Sequence, residues 1–290
     1  MSLQRPAAAP GAAAERPAPR DAGSATRAGP TAPGPGQEAF IRIEPRLLEE
    51  ATFLALRGHP ELRRFDLERT RLYGIGDADE RERRFRALHT IWFTRLDLGR
   101  PLGQALDEQP SIRAGARSCL VARTTGARDE GADLHVDPLA PGAGGSPAGR
   151  TLLIRLQPEA FLFTDRLRVF LRHELQHVAD MLDDGFGYEP ALPAAGPDPA
   201  RQRLLLDRYA VLWDITVDGR LERRGRAADG VKAIRRREFE RAFPTLRERG
   251  ALLFERLYAG ESPMHAELMA IARDPETALR ALMRDPAAAS

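Results

Sequence analysis

Residues 165–184 read DRLRVFLRHELQHVADMLDD, and they constrain the fold more than any other segment. Leu167, Leu171, Leu175, Val178 and Leu182 recur at the three-to-four spacing of one helical face. Phe170, Ala179 and Met181 extend apolar character to the remaining faces. A helix that is apolar nearly all round must be buried, so the rest of the chain has to be wrapped around it. Thr164 or Asp165 supplies a cap for its start, and Gly185 a stop signal for its end. Yet this buried helix also carries His173, Glu174 and His177. Polar groups placed inside a protein need partners, and those partners are a question of chemistry.

His173-Glu174-Leu175-Gln176-His177 has the His-Glu-x-x-His pattern. Histidines four residues apart sit one helical turn above each other on the same face, so both imidazoles can reach one metal ion. Zn²⁺ in catalytic sites takes three protein ligands and leaves the fourth position for water. Glu174, next to the first histidine, is then placed to take the proton of that water as general base.

A third ligand is expected from residues 201–224, RQRLLLDRYAVLWDITVDGRLERR. On a helical wheel Leu204, Leu205, Leu206, Tyr209, Leu212, Trp213, Ile215 and Val217 cover most of the circumference, while Asp207, Asp214 and Asp218 share one narrow stripe. Carboxylates on an apolar helix are costly unless they find cations or hydrogen-bond donors. Asp214 is therefore assigned as the third metal ligand, and Asp218, one turn on, as the acceptor that orients a ligand histidine. The competing reading pairs these aspartates with arginines of neighbouring helices. Asp180 lies on the same face as the histidines but is displaced along a rigid axis, and is read as a partner for an arginine or a helix end. An oxyanion donor is not singled out: Tyr188, Tyr209, Arg220 and His265 are candidates. Tyr209 and Arg220 lie well off the acidic stripe, which favours packing and surface roles. His59, His89 and His135 are read as structural, and Trp213 and Cys119 as core.

With these residues in place, the chain resembles the zincin metallopeptidases, and within them the gluzincin branch. In that branch the His-Glu-x-x-His helix is followed by a second helix bearing an acidic third ligand, with an aspartate four residues further on that holds a ligand histidine. His173, Glu174 and His177 match the first motif, Asp214 the ligand and Asp218 the support, over roughly residues 151–224. Asp214 stands where the branch has glutamate, a shorter arm shared with the aspzincins, whose Gly-Thr and Tyr-rich segment is absent. The metzincin continuation is missing, as are a second Glu-x-x-His for a ferritin-like di-iron site and the flanking motifs of peptide deformylases around Cys119. The resemblance implies an α+β, mostly helical fold with a short mixed sheet before the active-site helix. It also implies a Zn²⁺ cofactor and a peptide or protein substrate bound along an edge strand.

Sequence texture fits that architecture. Helical patterns cover 45–56, 60–72 and 77–98; short strands are expected at 118–124, 132–137 and 151–156; helices return at 201–224, 231–243, 245–258, 263–273 and 275–283. Residues 1–37, rich in Ala, Pro, Gly and Arg, are expected to be disordered. The remainder divides into a helical region, 38–117, and a metal-binding catalytic region, 118–290, with one compact domain over 38–290 as the alternative division. Lys and Arg number 44 against 42 Asp and Glu, and Lys232 is the sole lysine. That arginine preference is read as codon bias, and the arginines alternate with acidic residues rather than gathering on one face, so no nucleic-acid partner is expected. One cysteine excludes an intrachain disulfide framework. Without an apolar run of membrane-spanning or secretory type, the cytoplasm is the expected location and no membrane partner is foreseen. A second reading keeps the metal site but uses it for binding or scaffolding without turnover. Retention of Glu174 argues against it, because a structural zinc site uses four protein ligands and needs no base.

Overall fold

The computed structural model describes residues 2–3, 40–137, 147–190, 198–260 and 263–284. The fold is α+β and mostly helical, with one small mixed sheet. Its strands are β1 (Ser2–Leu3), β2 (Ile41–Ile43), β3 (Ser118–Arg123), β4 (Gly131–Val136) and β5 (Arg150–Leu156), in the order β1-β4-β5-β3-β2. β2, β3 and β5 run parallel, whereas β4 lies antiparallel to β5 and takes β1 antiparallel on its outer edge. The three strands read from sequence are present. β2 falls within the region read as helical, because a three-residue Ile-Arg-Ile repeat is too short for its period to stand out. Of the segment 1–37 expected to be disordered, residues 2–3 form β1, and the others lie outside the described residues.

Eleven α-helices follow in the described residues: α1 (Pro45–Leu56), α2 (Leu62–Leu72), α3 (Ala78–Arg95), α4 (Arg100–Asp107), α5 (Pro110–Gly115), α6 (Thr164–Leu182), α7 (Pro199–Arg223), α8 (Val231–Ala242), α9 (Gly250–Ala259), α10 (His265–Arg273) and α11 (Pro275–Arg284). The sequence reading contains neither α4 nor α5. α6 also starts differently from expectation. Phe163 occupies the cap position with no side-chain bond to the helix, so Thr164 and Asp165 belong to the first turn. α7 begins earlier than expected, where Asp198 caps it by accepting from the Ala200 N–H, with Pro199 in the first turn.

Register explains where the core sits. Cys119 is paired with Leu152, Val121 with Ile154, Ala132 with Ile154 and Leu134 with Leu152, so these apolar side chains share one sheet face. They form a single cluster with Leu47 and Ala51 of α1 and with Leu167, Leu171, Leu175 and Val178 of α6. A second cluster joins α7 to α11 around Tyr209, Leu212, Trp213, Phe254 and Leu268. Within it α7 and α9 touch backbone to backbone: a Cβ on Gly219 would lie 2.0 Å from the Tyr258 carbonyl oxygen. Among the described residues, no helix is long and apolar enough to cross a membrane.

Candidate metal centre

α6 and α7 run antiparallel along the boundary between the two clusters, and their facing residues pair in two rows. His173 meets Asp218 and His177 meets Asp214 in one; Gln176 meets Arg224, the cap of α7, and Asp180 meets Arg220 in the other. The stretch 174–180 of α6 is buried throughout, as the apolar wheel required. The sequence-predicted ligands come together there. His177 Nε2 lies 3.2 Å from His173 Nε2 and 3.0 Å from Asp214 Oδ1, and His173 Nε2 is 3.5 Å from the same oxygen.

These separations bear on what the trio can hold. A proton links two atoms at a time, whereas three donor atoms converging on one point are arranged for a shared centre. Ligands at the ~2.0–2.1 Å bond lengths of tetrahedral zinc sites stand about 3.3 Å apart from one another, close to the three distances here. His173, His177 and Asp214 can therefore hold a metal ion. The donor set, two imidazoles and one carboxylate, suits a borderline divalent cation.

The surroundings fix these ligands. Asp218 Oδ1 accepts from His173 Nδ1 at 2.8 Å, which leaves Nε2 of that ring facing the trio. The arginine pairing of the competing reading is also present at the acidic stripe. Arg235, from α8, donates through Nε to Asp218 Oδ2 at 2.6 Å, and its Nη1 lies 3.3 Å from Asp214 Oδ2. Each aspartate thus gives one oxygen to a histidine and the other to Arg235. Asp207 is exposed and takes no part in the trio. Burial pulls the His173 pKa down, but the carboxylates of Asp218 and Asp214 outweigh it and raise it to about 9. Burial pushes Asp218 the other way, and His173 and Arg235 together hold it below the usual carboxylate range.

Asp180 is fully engaged elsewhere. It receives both Nη atoms of Arg220, at 2.7 and 2.5 Å, and the Trp213 indole N–H at 2.7 Å. Its pairing with an arginine was legible from its axial offset. The partner, Arg220, was read as a surface residue and is instead part-buried. Trp213 is fully buried, its indole edge-on to His177 with ring centroids 4.5 Å apart.

Glu174 is buried beside the trio, where its Oε2 accepts from the backbone N–H of Ala132 at 3.2 Å. Ala132 lies on β4, so the expected base is tethered to the strand between β1 and β5. Of the four candidate oxyanion donors, Arg220 is held by Asp180, and the Tyr209 hydroxyl is bonded to His265 Nδ1 at 2.7 Å. Tyr188 remains, stacked obliquely on Trp213 at 5.4 Å. Cys119 is buried in the core, where burial pushes its thiol up to about 12, as expected of an inert strand residue. His59 accepts the Glu61 N–H at a helix start, and His89 is buried between α-helices.

Arg235 is a residue of the centre that sequence reasoning missed. Its only signal is a buried-charge count: two aspartates on an apolar helix need a cation, and the sequence offers many arginines without saying which. Comparison with known protein families, with characterised proteins and with solved structures finds no match.

Proposed function

We infer that the protein is a zinc-dependent metallopeptidase. The observation that carries this reading is the convergence of two imidazole nitrogens and one carboxylate oxygen, with a buried glutamate adjacent in sequence and bonded to the backbone of β4. Zinc held by His173, His177 and Asp214 would polarise a carbonyl and acidify a water. Glu174 would accept that water's proton as it attacks the peptide carbonyl, then deliver the proton to the leaving amine. The tether to Ala132 fixes the Glu174 carboxylate against the backbone of β4.

On its side away from β5, β4 takes β1 as an antiparallel partner, since Ser2 pairs with His135 and Leu3 with Leu134; an extended substrate bound by strand addition would take the place of that short segment. Strand addition gives affinity through main-chain hydrogen bonds with little dependence on side chains. Three protein ligands rather than four, and a base that no structural site requires, favour turnover over simple metal binding.

The test is Glu174→Gln assayed on unstructured polypeptides such as casein. The variant should keep about one zinc per chain and lose roughly 10²–10⁴-fold in hydrolysis rate, the usual contribution of a general base. Equal rates in wild type and variant would refute the assignment. Hydrolysis by neither, with zinc bound by both, would leave the metal-binding scaffold.

A further inference from the structure

We propose that Arg235 is a positioning residue that makes Asp214 a one-oxygen ligand and holds both acidic supports of the centre in a single rigid unit. The proposal rests on the metal-centre reading above and goes beyond it. Arg235 comes from α8, a helix that contributes no ligand, and its side chain is only 16% exposed. One guanidinium spans two carboxylates: Nε on Asp218 Oδ2 at 2.6 Å, and Nη1 at 3.3 Å from Asp214 Oδ2. Glu238, three residues along α8, receives Nη1 at 2.6 Å and fixes the fork from the opposite side.

The consequence follows from which oxygens are taken. Asp214 Oδ1 points at the two histidines and Oδ2 at Arg235. A carboxylate whose second oxygen is paired with a buried guanidinium is held against turning to offer both oxygens to the metal. Asp218 is constrained alike, with Oδ1 on His173 and Oδ2 on Arg235, so ring and carboxylate are aimed together. A planar fork with donors at fixed angles can do this; a lysine ammonium, a point charge on a flexible stem, cannot span both groups.

Charge and geometry predict opposite signs. Taking a cation away from a metal site should by itself tighten metal binding. Loss of alignment should weaken it, and removing partners of this type typically costs about 10–100-fold in metal affinity. The experiment is zinc competition with a chromophoric chelator on the full chain, for wild type, Arg235→Met and Arg235→Lys. The same proteins loaded with Co²⁺ report coordination through the visible absorption band, which is strong for four ligands and weakens for five. Both variants should bind zinc about 10–100-fold more weakly and show a weakened cobalt band as Asp214 swings to two-oxygen contact. Arg235→Lys keeps charge and near-equal length, and is the variant read if Arg235→Met does not fold by circular dichroism. Wild-type affinity and spectrum in Arg235→Lys would overturn the proposal, showing that charge suffices. Tighter zinc binding in Arg235→Met would overturn it as well. Wild-type protein that takes up no metal would instead bring down the metal-centre reading on which the proposal stands.

Discussion

Replacing Asp180 with alanine removes an acceptor used by Arg220 through both Nη atoms, by the Trp213 N–H and by the Gln176 amide at 3.1 Å. The side chains of Asp180 and Arg220 are 4% and 13% exposed, so what remains is a mostly buried, unpaired guanidinium. Breaking a buried pair by removing one partner costs about 3–5 kcal/mol. Leaving the indole N–H without an acceptor adds roughly 1–3 kcal/mol. The two overlap, because Arg220 can partly reach water once released, and about 4–6 kcal/mol is expected in total. At roughly 2–4 °C per kcal/mol for a protein of this size, Tm should fall by on the order of 10–20 °C. Urea denaturation should show the midpoint moving with little change in slope. The double replacement Asp180→Leu with Arg220→Met should recover at least half of the loss, since it leaves no orphaned charge. A single variant within about 1 kcal/mol of wild type would refute the view that this pair is buried and mutually dependent.

Three other outcomes are expected. Asp214→Ala should abolish stoichiometric zinc, read by elemental analysis, while Asp180→Ala retains it wherever the protein is folded; the reverse pattern would invert the ligand assignment. His173 sits in the metal-free protein with its pKa raised to about 9, so a metal must displace a proton below that pH. Apparent zinc affinity from chelator competition should rise about tenfold per pH unit towards 9 and then flatten, and a flat profile would show that no such proton is there. For the same reason, stability of the metal-free protein from His173 is full below the unfolded pKa of 6.5 and lost as pH rises through about 9, to be followed by denaturation in excess chelator. Gly219→Ala should destabilise by about 3 kcal/mol or more, because the new Cβ meets a backbone oxygen that cannot rotate away.

Legibility from sequence followed the strength of the local signal. α6 and α7 were readable because long apolar helices interrupted by His, Glu and Asp require that those polar groups meet partners of their own. That Asp214 and Asp218 need polar partners followed from buried charge, and they contact His177 and His173 respectively. Short elements were not readable: β2 is three residues long and α5 six, below the length at which a period can be counted. Helix starts were misplaced where tertiary packing overrode cap chemistry, as at Phe163, which caps α6 with no side-chain bond. Arg235 and Arg220 escaped for another reason. A chain so rich in arginine gives no local indication of which guanidinium turns inward, because that choice is made by the helix packed opposite.

The line between α6 and α7 is polar, yet it lies between two apolar clusters, one built on the sheet and one on α7–α11. His173 and His177 belong to the first side and Asp214 to the second. An ion held by all three would behave as a removable rivet between two halves. Its binding energy would include the work of holding those halves together, so a chelator would act here as a reductant acts on a bridging disulfide. The amides first exposed to hydrogen exchange would then be those along the α6–α7 seam, with the sheet and the α9–α11 packing still protected.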